Sequence, residues 1–251
     1  MTYSLVGMCG RTGMFGAAVT TSSGAVGSRC PYARAGVGAV LTQHRTDPRL
    51  GPKGLDLLEA GKSAAEVITE LTRADPTIGW RQLAVIDNTG ATALFHGDRI
   101  KSVHAESQGT DCCAIGNIIR NTEIPGAMTT AFEANPEEHL AERLLRALEA
   151  GDAAGGEFRQ IKSAALLLVH KEDFAYVDLR VDLDRDPLAQ LRYHWEFDKP
   201  MLQRYVDRGF SIRTAYLSIN LARDKSLRET RLRVLGLGHR RSSEPEQQAA
   251  N

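Results

Sequence analysis

Residues 1–22, MTYSLVGMCGRTGMFGAAVTTS, decide the fold. YSLVG at 3–7 reads as a strand and GRTG at 10–13 as a turn, where glycine accepts positive φ. MFGAAVTTS at 14–22 reads as a second strand, closing a hairpin with the first. The chain thus opens with antiparallel sheet. It also opens on a chemical question, because Thr2 is a small hydroxyl residue directly after Met1. Cells commonly remove the initiator Met before a small side chain, so Thr2 is either an ordinary strand residue or a free N-terminal threonine.

Working outward, the Gly-rich stretch 24–38 with Pro31 reads as a loop, and GAVLTQ at 38–43 as a third strand. From 51 to 74 the period changes. Leu55, Leu58, Val67, Ile68 and Leu71 follow helical spacing, Gly61 divides two helices, and Ser63 with Glu66 forms a capping box. RQLAVIDNTGATALFHG at 81–97 is a hairpin around DNTG, and CCAIGN at 112–117 is a short strand. Two helices fill 123–150, broken at Asn135-Pro136, the second ending at Gly151 and leading into a loop. SAALLLVH and FAYVDLRVDL form the last strand pair. A helix starts at Asp186 with Pro187 in its first position. Strands in hairpins with helix pairs between them do not make a parallel doubly wound sheet. The apolar SAALLLV strand requires cover on both faces.

The 251 residues carry 31 Lys plus Arg against 31 Asp plus Glu, a balance with no electrostatic footprint for nucleic acid or an anionic membrane. No apolar run reaches the roughly 18 residues that span a bilayer, and the N-terminus lacks a signal-peptide pattern. Cys9, Cys30, Cys112 and Cys113 show no CxxC spacing. They read as small buried residues of a reduced, cytoplasmic protein, not as a disulfide framework or zinc site. His96, His104, His139, His170, His194 and His239 show no ligand spacing, so neither metal nor cofactor is expected.

Several segments in order carry a resemblance: MTYSLVG…TGMFGAAV, AVG at 25–27, ARAGVGAVLTQ at 33–43, GPKGLDLLEAGKSAAE, RQLAVIDNTG, GN at 116–117, LAERLLRALEAGDAAGGEFR and SAALLLV…YVDLRVD…DPLAQLR. Over residues 2–193 the chain resembles the domain of unknown function 1028 family, which is grouped by fold with the N-terminal-nucleophile (Ntn) hydrolases. The resemblance implies an α+β fold, a four-layer αββα sandwich of two largely antiparallel sheets. It also implies a role for Thr2, since in Ntn hydrolases the mature N-terminal residue is the nucleophile and its own α-amine the base. The family pattern GGDxRGxQSAAL stands here as GGEFRQIKSAAL, with Glu157, Gln160 and Lys162 departing from it. His44-Arg45 replaces smaller residues, and TTSSGAVG lacks a Ser-Arg-aromatic run.

Each candidate carries a functional and a bland reading. A threonine hydroxyl needs a base, which a free α-amine, with an ordinary pKa of about 8, supplies. Asn117 ends a strand, where an amide N–H serves an oxyanion or simply a turn. Gly155 and Gly156 offer backbone N–H groups or only a helix cap. Arg159 clamps a substrate carboxylate and Glu157 orients an amine, or the two form a surface ion pair. Lys162 is a pocket cation or a solvated strand end. Gln43 suits an amide or ureide substrate, and His44 a pocket wall.

The leading reading is a cytoplasmic amidohydrolase of a small amide, ureide or lactam-like substrate, with Thr2 as nucleophile after Met1 removal. The alternative is a non-catalytic small-ligand-binding or scaffold protein on the same fold. Residues 1–198 form the catalytic-type domain, 199–240 an appendage and 241–251 a disordered tail. Apolar residues of the appendage such as Phe210, Ile212, Tyr216 and Leu221 point to a homodimer or higher homo-oligomer. The basic segment 223–241 is interleaved with acids and reads as a solvated face or subunit contact, not a nucleic-acid site.

Overall fold

Strand β1 (Thr2–Cys9) and strand β2 (Met14–Thr21) pair antiparallel from Thr2↔Thr21 to Cys9↔Met14, and every residue of both is buried. Gly13, at φ 72°, closes the turn by donating its N–H to the Cys9 carbonyl at 2.8 Å. Burial on both faces places this hairpin in the middle of a covered sheet. That sheet has six strands in the order β10-β9-β2-β1-β8-β7, where β7 is His104–Gly109, β8 Cys112–Asn117, β9 Ser163–Val169 and β10 Val177–Val181. The second sheet has four: β3 (Pro31–Arg34), β4 (Gly38–His44), β5 (Arg81–Asp87) and β6 (Thr92–His96), in that order. All pairings are antiparallel. This computed structural model describes residues 1–210.

Alternation builds the layers. Val6 and Met8 of β1 meet Ala39, Leu41, Ala84 and Ile86 of the second sheet in a core between the sheets. The other face of β1 turns to helix α3 (Ile124–Glu133): a Cβ on Gly7 would stand 2.6 Å from the Phe132 ring. Helix α4 (Leu140–Ala153) lies beside α3 on that face. Val40, Leu83 and Val85, on the outer face of the second sheet, pack on Leu55 and Leu58 of α1 (Leu50–Glu59) and on Val67 and Leu71 of α2 (Ala64–Ala74). The result is the four-layer α+β sandwich expected from hairpins and helix pairs.

Local chemistry fixes the helix ends. Ser63 accepts the Glu66 N–H at 3.4 Å while Glu66 accepts the Ser63 N–H at 2.8 Å, closing the capping box. Helix α5 (Pro187–Asp198) starts at Pro187, with the Asp186 carboxylate accepting the Ala189 N–H at 3.1 Å. Fully buried Trp195 ties α5 to α4 by donating its indole N–H to Glu142 at 2.9 Å, a carboxylate that Arg192 also meets at 2.8 Å.

Three readings of the sequence change. The stretch 24–38 is not all loop, since it contains β3, an edge strand that tolerates Pro31 at its first residue. Edge strand β7, HAESQG, has too little apolar alternation to be read from sequence. Helix α4 does not stop at Gly151 but runs to Ala153. Glycine stands there because a Cβ would lie 2.9 Å from Met128 and 3.2 Å from Tyr3.

The chain divides into units Met1–Pro200 and Met201–Asn251; the described part of the second contains helix α6 (Leu202–Phe210). The rest of the expected appendage, its apolar residues from Ile212 to Leu221, the basic segment 223–241 and the tail 241–251 lie outside the described residues. Among the described residues no helix is long and apolar enough to cross a membrane.

Candidate active site

The core between the sheets is apolar at one end and polar at the other. Along β1 the inward residues run Met8, Val6, Ser4, Thr2; along β4 they run Ala39, Leu41, Gln43; along β5 Ile86, Ala84, Gln82; along β8 Cys113, Ile115, Asn117. Each row therefore ends in polar groups beside the N-terminus. These groups bond to one another. Ser4 donates to Gln43 at 2.7 Å, and Gln43 donates to Gln82 at 2.8 Å. Gln82 also accepts from Asn117 at 2.8 Å and donates to the Gly116 carbonyl at 2.8 Å. Its second amide hydrogen meets His96 Nδ1 at 2.7 Å. Gln82 thus uses both lone pairs and both hydrogens of its amide. With Nδ1 accepting, the neutral His96 ring carries its proton on Nε2, 2.6 Å from Glu106. Burial, with His104 nearby, holds His96 below its ordinary pKa against the pull of Glu106.

Thr2 heads β1 between Thr21 and Asn117, its partners across the two neighbouring strands, and is 6% exposed. Its hydroxyl lies 3.2 Å from that of Thr21. The Thr2 hydroxyl donates to the Met1 carbonyl at 2.5 Å, and the Thr21 hydroxyl donates to the same oxygen. Glu157 reaches this end through an isolated β-bridge to Ile119. It is 4% exposed, accepts the Ser22 N–H at 3.0 Å through one oxygen, and leaves the other without a partner. Burial raises its carboxyl to about 7, against the opposing pull of the chain's α-amine and the Ser22 hydrogen bond. The same burial lowers the α-amine from its ordinary value, with Glu157 opposing. This amine belongs to Met1, the residue directly before Thr2.

A cleft of about 370 Å³ opens at Met1, one residue from Thr2, with His44, Arg45, Trp80 and Lys101 among its walls. Two wall residues are strained: His44 at φ 70° and the β-branched Ile118 at φ 54°. Positive φ at non-glycine residues costs of order 1–3 kcal/mol and clusters at functional sites. A larger cavity of about 480 Å³ lies at the far end of β1, beside Cys9 and Arg143, and shares no residue with the N-terminal cluster. Among the described residues no three His, Cys, Asp or Glu side chains come together as a metal site.

The structure brings Thr2, Asn117, Glu157 and His44 to one end of the sandwich and separates other candidates from it. Gln43 is fully buried on the inward face of β4, and both ends of its amide are bonded inside the core. Gly155 and Gly156 present no free N–H groups. Their amides donate to Asp152 and Gly151, closing the end of α4 in a Schellman pattern. Asn117 turns its side-chain N–H inward to Gln82, not outward to a ligand. Arg159 and Lys162 are exposed; Arg159 stands near enough to the α-amine to lower its pKa, and Lys162 continues the β2 ladder through its N–H to the Thr21 carbonyl at 2.8 Å. The sequence reading missed Ser4, Thr21, Gln82 and two cations of the cleft, Arg99 and Lys101. Polar residues in inward register at the end of apolar rows were the available signal for the first three.

Among curated proteins none matches the chain. The crystal structure of a DUF1028 protein from Silicibacter pomeroyi is 28% identical, covers 78% of this chain and 85% of its own, and superposes with a TM-score of 0.73. Anbu (ancestral beta-subunit) from Yersinia bercovieri is 12% identical over 82% of this chain and 97% of its own, at a TM-score of 0.37, too low to carry an argument. Residues 2–191 match the family of unknown function DUF1028, and the chain belongs to that family.

Proposed function

We propose that the protein is an Ntn-type amidohydrolase cleaving the C–N bond of a small amide, ureide or lactam-like substrate, with Thr2 as nucleophile after Met1 removal. The observation that carries this reading is the position of Thr2. It is buried at the head of the central strand, one residue from a cleft, with a second hydroxyl 3.2 Å from its own. Removal of Met1 turns the Thr2 nitrogen into a free amine on the carbon adjacent to the one bearing the hydroxyl, so base and nucleophile need no separate positioning.

The Thr2 hydroxyl oxygen attacks the substrate carbonyl carbon while the Thr2 amine takes its proton. That proton passes to the leaving nitrogen as the C–N bond breaks, leaving an ester on Thr2. Water, deprotonated by the same amine, attacks the ester and regenerates Thr2 and a carboxylic acid. Thr21, which here donates to the Met1 carbonyl, supplies an oxyanion donor. Asn117 acts as a positioning residue for the end of β1. Glu157, with one oxygen unpartnered, is set to receive the protonated amine between steps.

Turnover of an amide, ureide and lactam series by wild type and Thr2→Ala tests the reading; full turnover by Thr2→Ala overturns it. The second reading, a ligand-binding protein that keeps Met1, is favoured by the two hydroxyls already satisfied on the Met1 carbonyl. An intact mass including Met1, with saturable ligand binding and no turnover, would select it.

A further inference from the structure

We infer that the cleft beside Met1 is an anion seat, and that the substrate is a small amide carrying a carboxylate or a phosphate remote from the bond that is cut. The charge on the cleft walls is one-sided. Arg45, Arg99 and Lys101 line the cleft and no carboxylate does. Among the described residues none of these three cations reaches a carboxylate within ion-pair distance. The nearby acids are engaged elsewhere. Asp75 meets Arg81 at 2.6 Å, Asp47 meets Arg49 at 2.7 Å and Glu106 meets His96 at 2.6 Å. The exposed Asp98 is not among the cleft's walls, and its backbone carbonyl accepts from Lys101 at 3.0 Å. Three like charges around one small cleft repel each other until a counter-charge enters.

One polar donor and the cleft's shape agree with the charge. Ser102 lines the cleft with a buried hydroxyl that has no partner. An unpaired buried hydroxyl is costly, and an anion oxygen would satisfy it. His44 donates from Nδ1 to the Trp80 carbonyl at 2.6 Å, leaving Nε2 an acceptor in the neutral ring. Burial, with Arg45 and His104 nearby, keeps His44 below its ordinary pKa, so at neutral pH the permanent cations carry the charge. Trp80, 38% exposed, offers a flat apolar wall, and the Arg99 guanidinium sits 5.8 Å from the centroid of its ring. A cleft of about 370 Å³ holds a small organic molecule, not just an ion. Anchoring the anionic end there directs the rest of the molecule toward the head of β1, where remote binding energy positions the scissile bond. The choice of scissile bond rests on the Thr2 reading; the seat itself rests on the cleft alone.

Calorimetric titration of the full-length protein with glutarate, inorganic phosphate and uncharged glutaramide tests the seat. Glutarate or phosphate should bind saturably, the better of the two naming the anion, and glutaramide should not. Arg45→Gln with Lys101→Gln should weaken the anion at least tenfold while the thermal midpoint stays near wild type, and Arg45→Lys with Lys101→Arg should restore it. Affinity should fall as salt rises. Absence of binding by both anions, equal binding of glutaramide, or an unchanged affinity in the double Gln variant would overturn the seat. Thr2→Ala must bind the anion as wild type does. Anion binding together with full turnover by Thr2→Ala would sink the hydrolase reading and leave the seat standing, and loss of turnover without anion binding would do the reverse.

Discussion

Glu157 accepts the Ser22 N–H at 3.0 Å through one carboxylate oxygen while its other oxygen meets no partner. The protein thus buries a carboxyl with only part of its hydrogen bonding satisfied, and its pKa rises to about 7. In the unfolded chain the same group ionises near 4.5. Between these values the unfolded state loses a proton that the folded state keeps, so stability falls as pH rises, by about 3 kcal/mol across the window. Thermal unfolding of wild type against Glu157→Gln from pH 4 to 8 should show the two curves diverging, with wild type losing stability as pH climbs. Parallel curves would contradict this account of Glu157.

The hydroxyl pair at the head of the hairpin makes a kinetic prediction. Thr2→Ala should fall to the uncatalysed background, whereas Thr2→Ser should keep part of the turnover because it retains an oxygen at the same place. Thr21→Ala should lower kcat about 100-fold with KM nearly unchanged, the signature of a donor used only in the transition state, and Thr21→Ser should recover most of it. Steady-state kinetics on one cleaved amide decides both; a Thr21→Ala defect confined to KM would move Thr21 out of the oxyanion role.

Gln82 makes the stability prediction. Its amide serves Gln43, Asn117, the Gly116 carbonyl and His96 at once. Gln82→Ala strands several buried polar groups, each worth about 1–3 kcal/mol, so a loss of about 3–5 kcal/mol is expected in urea unfolding. A loss under about 1 kcal/mol would mean that water replaces the amide and the network is not rigid.

Two glycines should respond in opposite directions. A Cβ on Gly16 would stand 2.7 Å from Leu144 and 2.9 Å from the Leu167 carbonyl, so Gly16→Ala should destabilise by about 1–3 kcal/mol. Gly126, inside α3 with nothing within 4 Å of such a Cβ, should gain about 0.5–1 kcal/mol as Ala. Denaturant midpoints of the two variants check the pair.

The layers were legible because alternation in TYSLVGMC and MFGAAVTT, together with the helical spacing of Leu55, Leu58, Val67 and Leu71, records burial directly. The site was legible in part. Thr2 follows from its place in the chain, but the reach of Gln43 into the core depends on Gln82 lying opposite it across β4 and β5, a pairing that two separate stretches of sequence do not announce. The Gly155-Gly156 pair misled for a related reason. A Gly-Gly step looks alike whether its amides face a ligand or close the preceding helix turn. The cations of the cleft come from separate loops, 45 and 99–101, that only the folded sheet brings together.

The mass of the N-terminal peptide of the purified full-length protein tests the central claim most directly. The account predicts a peptide that begins at Thr2 with an unmodified amine. A peptide that begins at Met1 in protein that turns over substrate would contradict it.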